Sequence, residues 1–315
     1  MQKSLIICMT PLQAIIAERI ISYSNDKFDL LYIAELTSKN EYYFSKLNDI
    51  CEISILIEHP KNLVNFFQFK SKINRIREYK YKSIYAANID RKLVQYLFTL
   101  NINANFFSFD DGVGNIIAKS SLHNKEQISF LKKIFWLVAG VRVDSSFIKN
   151  NIKKHYTIFN NMKNIVDNTE YISLFNKIEM DNNLYNDKIR VFLGQPMSEV
   201  NKKYNRVFIS ELMIKLKIDY YFPHPREENL ELNIEIVHTP KIFEDYIVEL
   251  VENKKCKIEV YSFFSTAIIN LAHIPNIELK YICDDFLISK YKSFYEIARG
   301  NFKIDTINIQ SNIIE

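Results

Sequence analysis

Residues 4–35 read SLIICMTPLQAIIAERIISYSNDKFDLLYIAE, and this stretch decides the fold class. SLIICMT is a short apolar run suited to a buried strand. PLQAIIAERIISYS carries apolar residues at helical spacing, with Pro11 at the first helical position, where a missing N–H costs nothing. FDLLYIAE is a second apolar run. A strand, a helix and a strand in so few residues form one β-α-β unit. The same order continues outward: NEYYFSKLNDI as a helix, EISILIE as a strand, NLVNFFQFKSKINRIREY as a longer amphipathic helix. KSIYAAN, RKLVQYLFTL and ANFFSFDDG repeat it as strand, helix and strand. Such alternation predicts an open parallel sheet with helices on both faces.

After the polar stretch NKIEMDNNLYNDK at 176–188 the alternation restarts. IRVFLGQP, IDYYFPHP, NIEIVHTP, CKIEVYSFFS and ELKYICDD read as strands. SEVNKKYNRVFISELMIKL, KIFEDYIVELVEN, TAIINLAHI and a segment near ISKYKSFYEIAR read as helices. The chain is therefore expected to be α/β, in two similar halves joined near residues 170–188: an N-terminal domain at 1–175, a C-terminal domain at 188–285, and a C-terminal helical tail at 286–315 that packs back towards the N-terminal domain.

Composition sets outer limits. The chain has 315 residues, enough for about two domains. Its 48% apolar and 25% charged fractions are those of an ordinary water-soluble protein. The net charge of +4, read as spread along the chain, favours anionic ligands mildly and falls short of a nucleic-acid binder. Cys8, Cys51, Cys256 and Cys283 stand alone, as free thiols of a reducing compartment, and no structural zinc site is expected. No run reaches the length of a membrane span, and the N-terminus lacks a leader-like apolar core. The nearest candidate, ISFLKKIFWLVAGVRV at 128–143, carries Lys132, Lys133 and Arg142. It reads first as a core or dimer-interface helix, and second as a peripheral helix resting on an anionic membrane.

Ligands of open α/β sheets bind beyond the C-terminal ends of the strands, and four strand ends carry chemistry. FFSFDDGVGN at 106–115 ends a strand in Asp110 and Asp111, followed by Gly112 and Gly114. Adjacent carboxylates repel, so one is suited to act as a base; an acidic turn or a helix N-cap is the plainer reading. YYFPHPRE at 220–227 fixes His224 between Pro223 and Pro225 and adds Arg226, a pairing suited to phosphate, or else a proline-stiffened loop. VYSFFSTAIINLA places Ser262, Ser265 and Thr266 where a strand gives way to an apolar helix, an anion site or plain capping. HTPKIFEDYIVE puts Glu244 and Asp245 in a helix's first turns, where an acid can hold ribose hydroxyls or simply favour the helix dipole.

Taken together, a carboxylate in one half with a His/Arg loop and Ser/Thr helix start in the other describe a B-type glycosyltransferase, two Rossmann-like domains with an interdomain cleft. The sequence resembles the bacterial sialyltransferases of glycosyltransferase family 52, the lipooligosaccharide and capsule type. The resemblance lies in PLQAIIAERII, YYF, FDDGVGN, HYTIF, VFLGQP, PHPR, FEDYI and YSFFSTA, in the family's order over nearly the whole chain.

The resemblance implies CMP-sialic acid as donor, a terminal galactose-type residue of a surface glycan as acceptor, inversion at the anomeric carbon, no required metal or other cofactor, and a homodimer; some relatives carry an N-terminal membrane anchor that this sequence lacks, a departure that favours the cytoplasm with at most peripheral membrane contact. It makes the 1–175 domain the acceptor side and the 188–285 domain the nucleotide-sugar side. It makes Asp111 the base, with Asp110 positioning it or exchanging roles. His224 would stabilise or protonate the leaving phosphate, helped by the Ser265 and Thr266 hydroxyls, with Pro223, Arg226 and Ser262 also counted among the donor-binding residues. Glu244 would hold the ribose and Gly194 would leave room for the nucleotide. One departure stands out. A branch of the family has an aspartate after Gly-x-Pro, where this chain reads LGQPMSEV with Met197. A thioether takes no proton, so the base is the Asp110/Asp111 pair or Glu199. The alternatives are a transferase of the same fold using another sugar nucleotide, such as a glucosyltransferase, and a non-catalytic scaffold in glycan assembly.

Overall fold

The computed structural model describes residues 3–60, 63–117, 120, 122–123, 128–175, 188–227, 232–272 and 274–309. The chain divides into two compact units, Met1–Asn176 and Lys177–Glu315.

The first unit is built on β1 (Ser4–Cys8), β2 (Phe28–Ile33), β3 (Ile53–Ile57), β4 (Ser83–Ala86), β5 (Asn105–Phe109), β6 (Ile152–Thr157) and β7 (Thr169–Tyr171). They lie in the order β3-β2-β1-β4-β5-β6-β7, every pair parallel. β1 and β2 are buried along their whole length, which is why they read as unbroken apolar runs rather than alternating ones. Register sets Ser4 beside Phe28 and Ser83 and keeps the strand ends level; a shift between Phe106 and Phe107 breaks the β5–β6 ladder once. Helices at Pro11–Ser22, Ser38–Asn48, Leu63–Lys72 and Lys92–Leu100 make the crossovers. Thr10 caps the first by accepting from the Gln13 N–H at 3.3 Å. Beneath the sheet Leu5, Ile7, Leu31, Phe69, Ile84, Val94, Leu97 and Phe98 form a continuous core.

The second unit repeats the plan with β8 (Lys188–Leu193), β9 (Tyr220–Phe222), β10 (Glu235–Ile236), β11 (Lys257–Ser262), β12 (Ile277–Cys283) and β13 (Asp305–Asn308). The order β10-β9-β8-β11-β12-β13 is again all parallel. Counted within the unit it is 3-2-1-4-5-6, the order of a doubly wound dinucleotide fold.

Four expectations change. The segment after residue 285 contains helices Asp285–Lys290 and Lys292–Phe302, but it also returns as β13, which pairs with β12 at the edge of the second unit's sheet. The helix expected over SEVNKKYNRVFISELMIKL is two, Met197–Val200 and Arg206–Leu216, because Asn205 caps the second by accepting from the Phe208 N–H. The apolar run at 266–271 is a 3-10 turn, not an α-helix. The helix within 128–143 spans Phe130–Val138 and buries no residue fully, so it is not a core helix.

Candidate active site

In the first unit strand order reverses between β1 and β4, the switch point at which such sheets bind ligands. Three polar side chains meet there. Gln13 follows β1, Asn88 follows β4 and Asp111 follows β5. The backbone N–H of Met9 donates to Gln13 Oε1 at 2.7 Å. That bond settles the rest of the chain, because a backbone N–H can only donate. Gln13 must therefore turn Nε2 the other way, where it donates to Asn88 Oδ1 at 2.6 Å and to Asp111 Oδ1. Asn88 in turn presents Nδ2, which donates to Asp111 Oδ2 at 2.6 Å. The relay ends on Asp111 and requires an acceptor at both oxygens: an ionised carboxylate. Burial pushes the Asp111 carboxyl up from the usual carboxylate range, and the donors on Gln13 and Asn88 restrain that rise. A carboxylate that is held in place and raised in basicity is equipped to take a proton.

Asp110 has a different role. It is fully buried. It accepts from His155 Nε2 at 2.9 Å, Thr157 Oγ1 at 2.7 Å, the Ile158 N–H at 2.8 Å and Asn164 Nδ2 at 2.9 Å. Four donors saturate a carboxylate, so Asp110 cannot exchange roles with Asp111. It ties β5 to β6 and to the loop beyond. Ser108 Oγ lies 2.7 Å from His155 Nδ1 and completes a Ser-His-Asp chain, yet all three side chains are buried and the hydroxyl reaches no substrate.

Of the two glycines, Gly112 needs to be one: its φ of 119° and ψ of −160° lie where side-chain-bearing residues are strained. This turn brings Asn115 back to accept from the Asp111 N–H at 2.8 Å. Among the described residues Asn115 Nδ2 is buried with no hydrogen-bond partner.

In the second unit the corresponding strand ends are those of β8, β9 and β11. His224 Nδ1 accepts from the Arg226 N–H at 3.1 Å, so the neutral ring carries its proton on Nε2. The His224 N–H donates to Glu227 Oε2 at 2.7 Å, and Tyr221 Oη donates to Glu227 Oε1 at 2.8 Å. Burial raises the Glu227 carboxyl above its usual range, against the pull of these two donors. Glu227, quoted in the sequence stretch but given no role there, is thus what holds the histidine loop.

Gly194 is explained by the same carboxylate. A Cβ there would stand 2.2 Å from Glu227 Oε2 and 2.5 Å from Tyr221 Oη. The position a side chain on residue 194 would take is filled by Glu227 and Tyr221. Pro223 precedes the histidine and is half-buried. Arg226 is exposed and pairs with Glu199 at 2.9 Å, a solvent-facing contact of little energetic weight.

Ser262 is fully buried and donates to the Leu193 carbonyl at 3.0 Å, with Gln195 Oε1 at 3.2 Å. Gln195 also accepts from the Phe264 N–H at 2.9 Å, clamping the end of β11 to the end of β8. Ser262 is therefore a fastener rather than a surface hydroxyl. Ser265 Oγ caps the 266–271 turn by accepting from the Ala267 N–H at 3.3 Å, and Thr266 beside it is exposed. The long α-helix N-terminus expected at this anion site is thus a six-residue 3-10 turn, with the Ala267 N–H already taken by Ser265 Oγ. Glu244 is 5% exposed and accepts from Asn270 Nδ2 at 2.8 Å; it supports that turn instead of facing solvent. Met197 is buried in the wall of a cavity of about 390 Å³, shared with Gln195, Tyr204, Arg206, Arg226 and Glu227. Among the described residues no three His, Cys, Asp or Glu converge as metal ligands.

Comparison with known proteins accords with this architecture. The profile of glycosyltransferase family 52 matches residues 25–284. An N-acetyllactosaminide alpha-2,3-sialyltransferase of Haemophilus influenzae is 33% identical over 89% of this chain and 91% of that protein. A CMP-N-acetylneuraminate:beta-galactoside alpha-2,3-sialyltransferase of Pasteurella multocida is 29% identical over 93% and 96%. An N-acetyllactosaminide alpha-2,3-sialyltransferase of Neisseria meningitidis is 29% identical over 88% and 77%. Among solved structures, a spinosyn rhamnosyltransferase complexed with thymidine diphosphate superposes with a TM-score of 0.52 at 8% identity, over 98% of this chain and 86% of the other. The glycosyltransferase of kitacinnamycin gives 0.51 at 9% identity, over 99% and 87%. These likenesses bear on fold alone, and the fold is that of the B-type glycosyltransferases.

Proposed function

The chain belongs to glycosyltransferase family 52, and on that premise we propose that it is an inverting sialyltransferase, moving sialic acid from CMP-sialic acid to a terminal galactose-type residue in α2,3 linkage. The linkage and acceptor follow the names of the similar proteins. The observation that carries the chemistry is the amide relay from Met9 through Gln13 and Asn88, which ends on Asp111 and keeps it an acceptor at both oxygens.

Asp111 takes the proton of the acceptor hydroxyl as that oxygen forms its bond to the anomeric carbon. The bond from that carbon to the phosphate oxygen breaks on the opposite face. Its electron pair leaves with CMP, and the configuration inverts. Charge grows on the departing phosphate, where a donor is worth most. His224 supplies it from Nε2, with its ring set by the Arg226 N–H and its backbone by Glu227. No metal is assigned a step, and Met197 is assigned no proton. Asp110 supports the site and does not react.

The biological setting we propose is the assembly of a bacterial surface glycan, lipooligosaccharide or capsule, by a cytoplasmic homodimer in peripheral contact with the membrane. The test is transfer by the purified protein from CMP-sialic acid and from UDP-glucose, with and without EDTA, to galactose-terminated acceptors, reading product mass and linkage. Sialylated product from CMP-sialic acid, unaffected by EDTA, supports the reading. Glucose transfer would move the donor assignment to another sugar nucleotide. No transfer and no thermal stabilisation by any nucleotide would favour a scaffold.

A further inference from the structure

Asp90 stands two residues past Asn88, in the turn that follows β4 at the switch point of the first unit's sheet. The backbone of this turn is firmly held. Gln95, fully buried on the helix Lys92–Leu100, donates through Nε2 to the Ile89 carbonyl at 3.2 Å and to the Asp90 carbonyl at 3.3 Å. The Arg91 N–H closes the turn on the Asn88 carbonyl at 3.0 Å. Asp90 is therefore placed by the same short segment that delivers the Asn88 amide to Asp111.

Its side chain is unsatisfied. Among the described residues Asp90 Oδ1 is buried with no hydrogen-bond partner, although the residue as a whole is only half-buried. Lys149 feels its charge but does not close on it: burial lowers the Lys149 ammonium, Asp90 opposes this through space, and Nζ donates instead to the Leu122 carbonyl. Asp111 feels the same charge. Burial is what chiefly raises the Asp111 carboxyl; the Gln13 and Asn88 amides oppose the rise and Asp90 adds to it. Two carboxylates thus interact at the ends of the adjacent strands β4 and β5.

A second orphan lies in the turn after Asp111. Asn115 is fully buried, and its Oδ1 accepts the Asp111 N–H, which turns Nδ2 away with no partner among the described residues. Buried donors and acceptors left unmet are rare in folded proteins and costly. Here one of each is unmet beside a single reactive carboxylate. A hydroxyl can serve both, since it donates and accepts, and a sugar carries hydroxyls on adjacent carbons. A cation would suit the two acids but not the amide, and both Asp111 oxygens already accept from amides.

We infer that Asp90 binds the acceptor sugar: it accepts a hydrogen bond from a hydroxyl next to the attacking one, while Asp111 takes the proton of the attacking oxygen. This rests on the reading of the chain as a transferase to galactose, and goes beyond it by giving a neighbouring hydroxyl of that sugar a protein partner. The Asp90 carboxyl group turns about a soft bond, so either oxygen can meet the sugar. For transfer to carbon 3, the neighbouring hydroxyls are those on carbons 2 and 4. A charge-assisted bond to one of them orients the acceptor and selects against sugars that lack it.

The experiment is a cycle between enzyme and acceptor. Wild type, Asp90→Asn and Asp90→Ala are compared in kcat/KM for sialic acid transfer to a simple galactoside and to its 2-deoxy and 4-deoxy analogues. Both variants should keep the melting temperature and CMP binding of wild type, because no protein donor depends on Asp90 Oδ1; a large fall in melting temperature would make Asp90 a structural residue and overturn the inference. With the full galactoside Asp90→Ala should lose about 10- to 100-fold, the usual weight of a hydrogen bond to a charged group, and Asp90→Asn somewhat less, since an amide oxygen still accepts. With one of the two deoxy analogues wild type should suffer a similar loss and the substitutions should add little, because the partner is already gone. Losses that multiply for both analogues would overturn the inference, leaving Asp90 a charge that tunes Asp111 and the transferase reading intact. So would wild-type rates in Asp90→Ala. Wild type failing on every galactoside would remove the inference together with the reading beneath it.

Discussion

Replacing Asn88 with leucine isolates one link of the relay that holds Asp111. Asn88 is buried, and leucine has the same branched arrangement of side-chain heavy atoms with bulkier ends, so the exchange removes the amide without opening a space for water. What Asp111 loses is the Nδ2 donation to Oδ2 at 2.6 Å, while Gln13 Nε2 loses its acceptor on Asn88 and keeps Asp111. That donation favours the ionised form and holds down a carboxyl that burial raises. A hydrogen bond to a charged group contributes about 1.5–3 kcal/mol, and one pKa unit corresponds to about 1.4 kcal/mol, so its loss should raise the Asp111 pKa by about 1–2 units. If Asp111 must be ionised to take the acceptor's proton, the acid limb of the kcat/KM profile moves to higher pH by the same amount. The plateau above it should fall less, because Gln13 still orients the carboxylate. The assay is CMP release from CMP-sialic acid at subsaturating acceptor, followed from acid to mildly alkaline pH. Asp111→Asn is run beside it and should show no such limb. An acid limb that stays in place in Asn88→Leu, or moves to lower pH, would refute the assignment of that limb to Asp111.

Other consequences concern stability. Gly194→Ala forces a methyl into Glu227 Oε2 and Tyr221 Oη, which are pinned by each other and by the His224 N–H; it should destabilise the protein by about 2–3 kcal/mol in urea unfolding, with Glu227→Ala added as a second change restoring part of the loss. Asp110→Ala takes the acceptor from four donors, three of them on buried residues, and should cost about 3–5 kcal/mol, so lost activity in that variant should accompany lost stability rather than occur in a well-folded protein. Asp111 has its folded pKa raised above the unfolded value. The stability it contributes is therefore complete below the unfolded pKa and is lost as pH rises through the folded one. Asp111→Asn, which does not titrate, should gain in melting temperature relative to wild type across that window; a gap between the two that does not change with pH would contradict the shift.

The α/β class could be read from residues 4–35 because buried parallel strands announce themselves as short apolar runs between helical patterns. The edge strands were harder to read. β7, at Thr169–Tyr171, is exposed and polar, and β13 follows two helices with little apolar signal, so the tail read as helical. The strand-end rule pointed to Asp111 and His224 because carboxylate, imidazole and proline are conspicuous residue types. It passed over Gln13, in the first turn of the helix after β1, and Asn88, just past β4, which sit in otherwise unremarkable runs and act on Asp111, 98 and 23 positions away along the chain. Paired residues misled for a related reason. Asp110 and Asp111 are neighbours in sequence, but strand geometry sends consecutive side chains to opposite faces, one into the β6 network and the other into the amide relay. Gly194 and Ser262 are both tightly fitted against protein atoms, Gly194 against Glu227 and Tyr221 and Ser262 against the Leu193 carbonyl, contacts that the strand-end rule does not reveal.

The account depends most on the claim that this chain transfers sialic acid with Asp111 as base. The direct measurement is a single-turnover assay with CMP-sialic acid and a galactose-terminated acceptor, comparing wild type, Asp111→Asn and His224→Ala under conditions where all three bind CMP. The account predicts inverted sialoside and stoichiometric CMP from wild type, with the transfer step slowed by about 10²–10⁴ in Asp111→Asn and substantially in His224→Ala. Transfer at the wild-type rate in Asp111→Asn would contradict it.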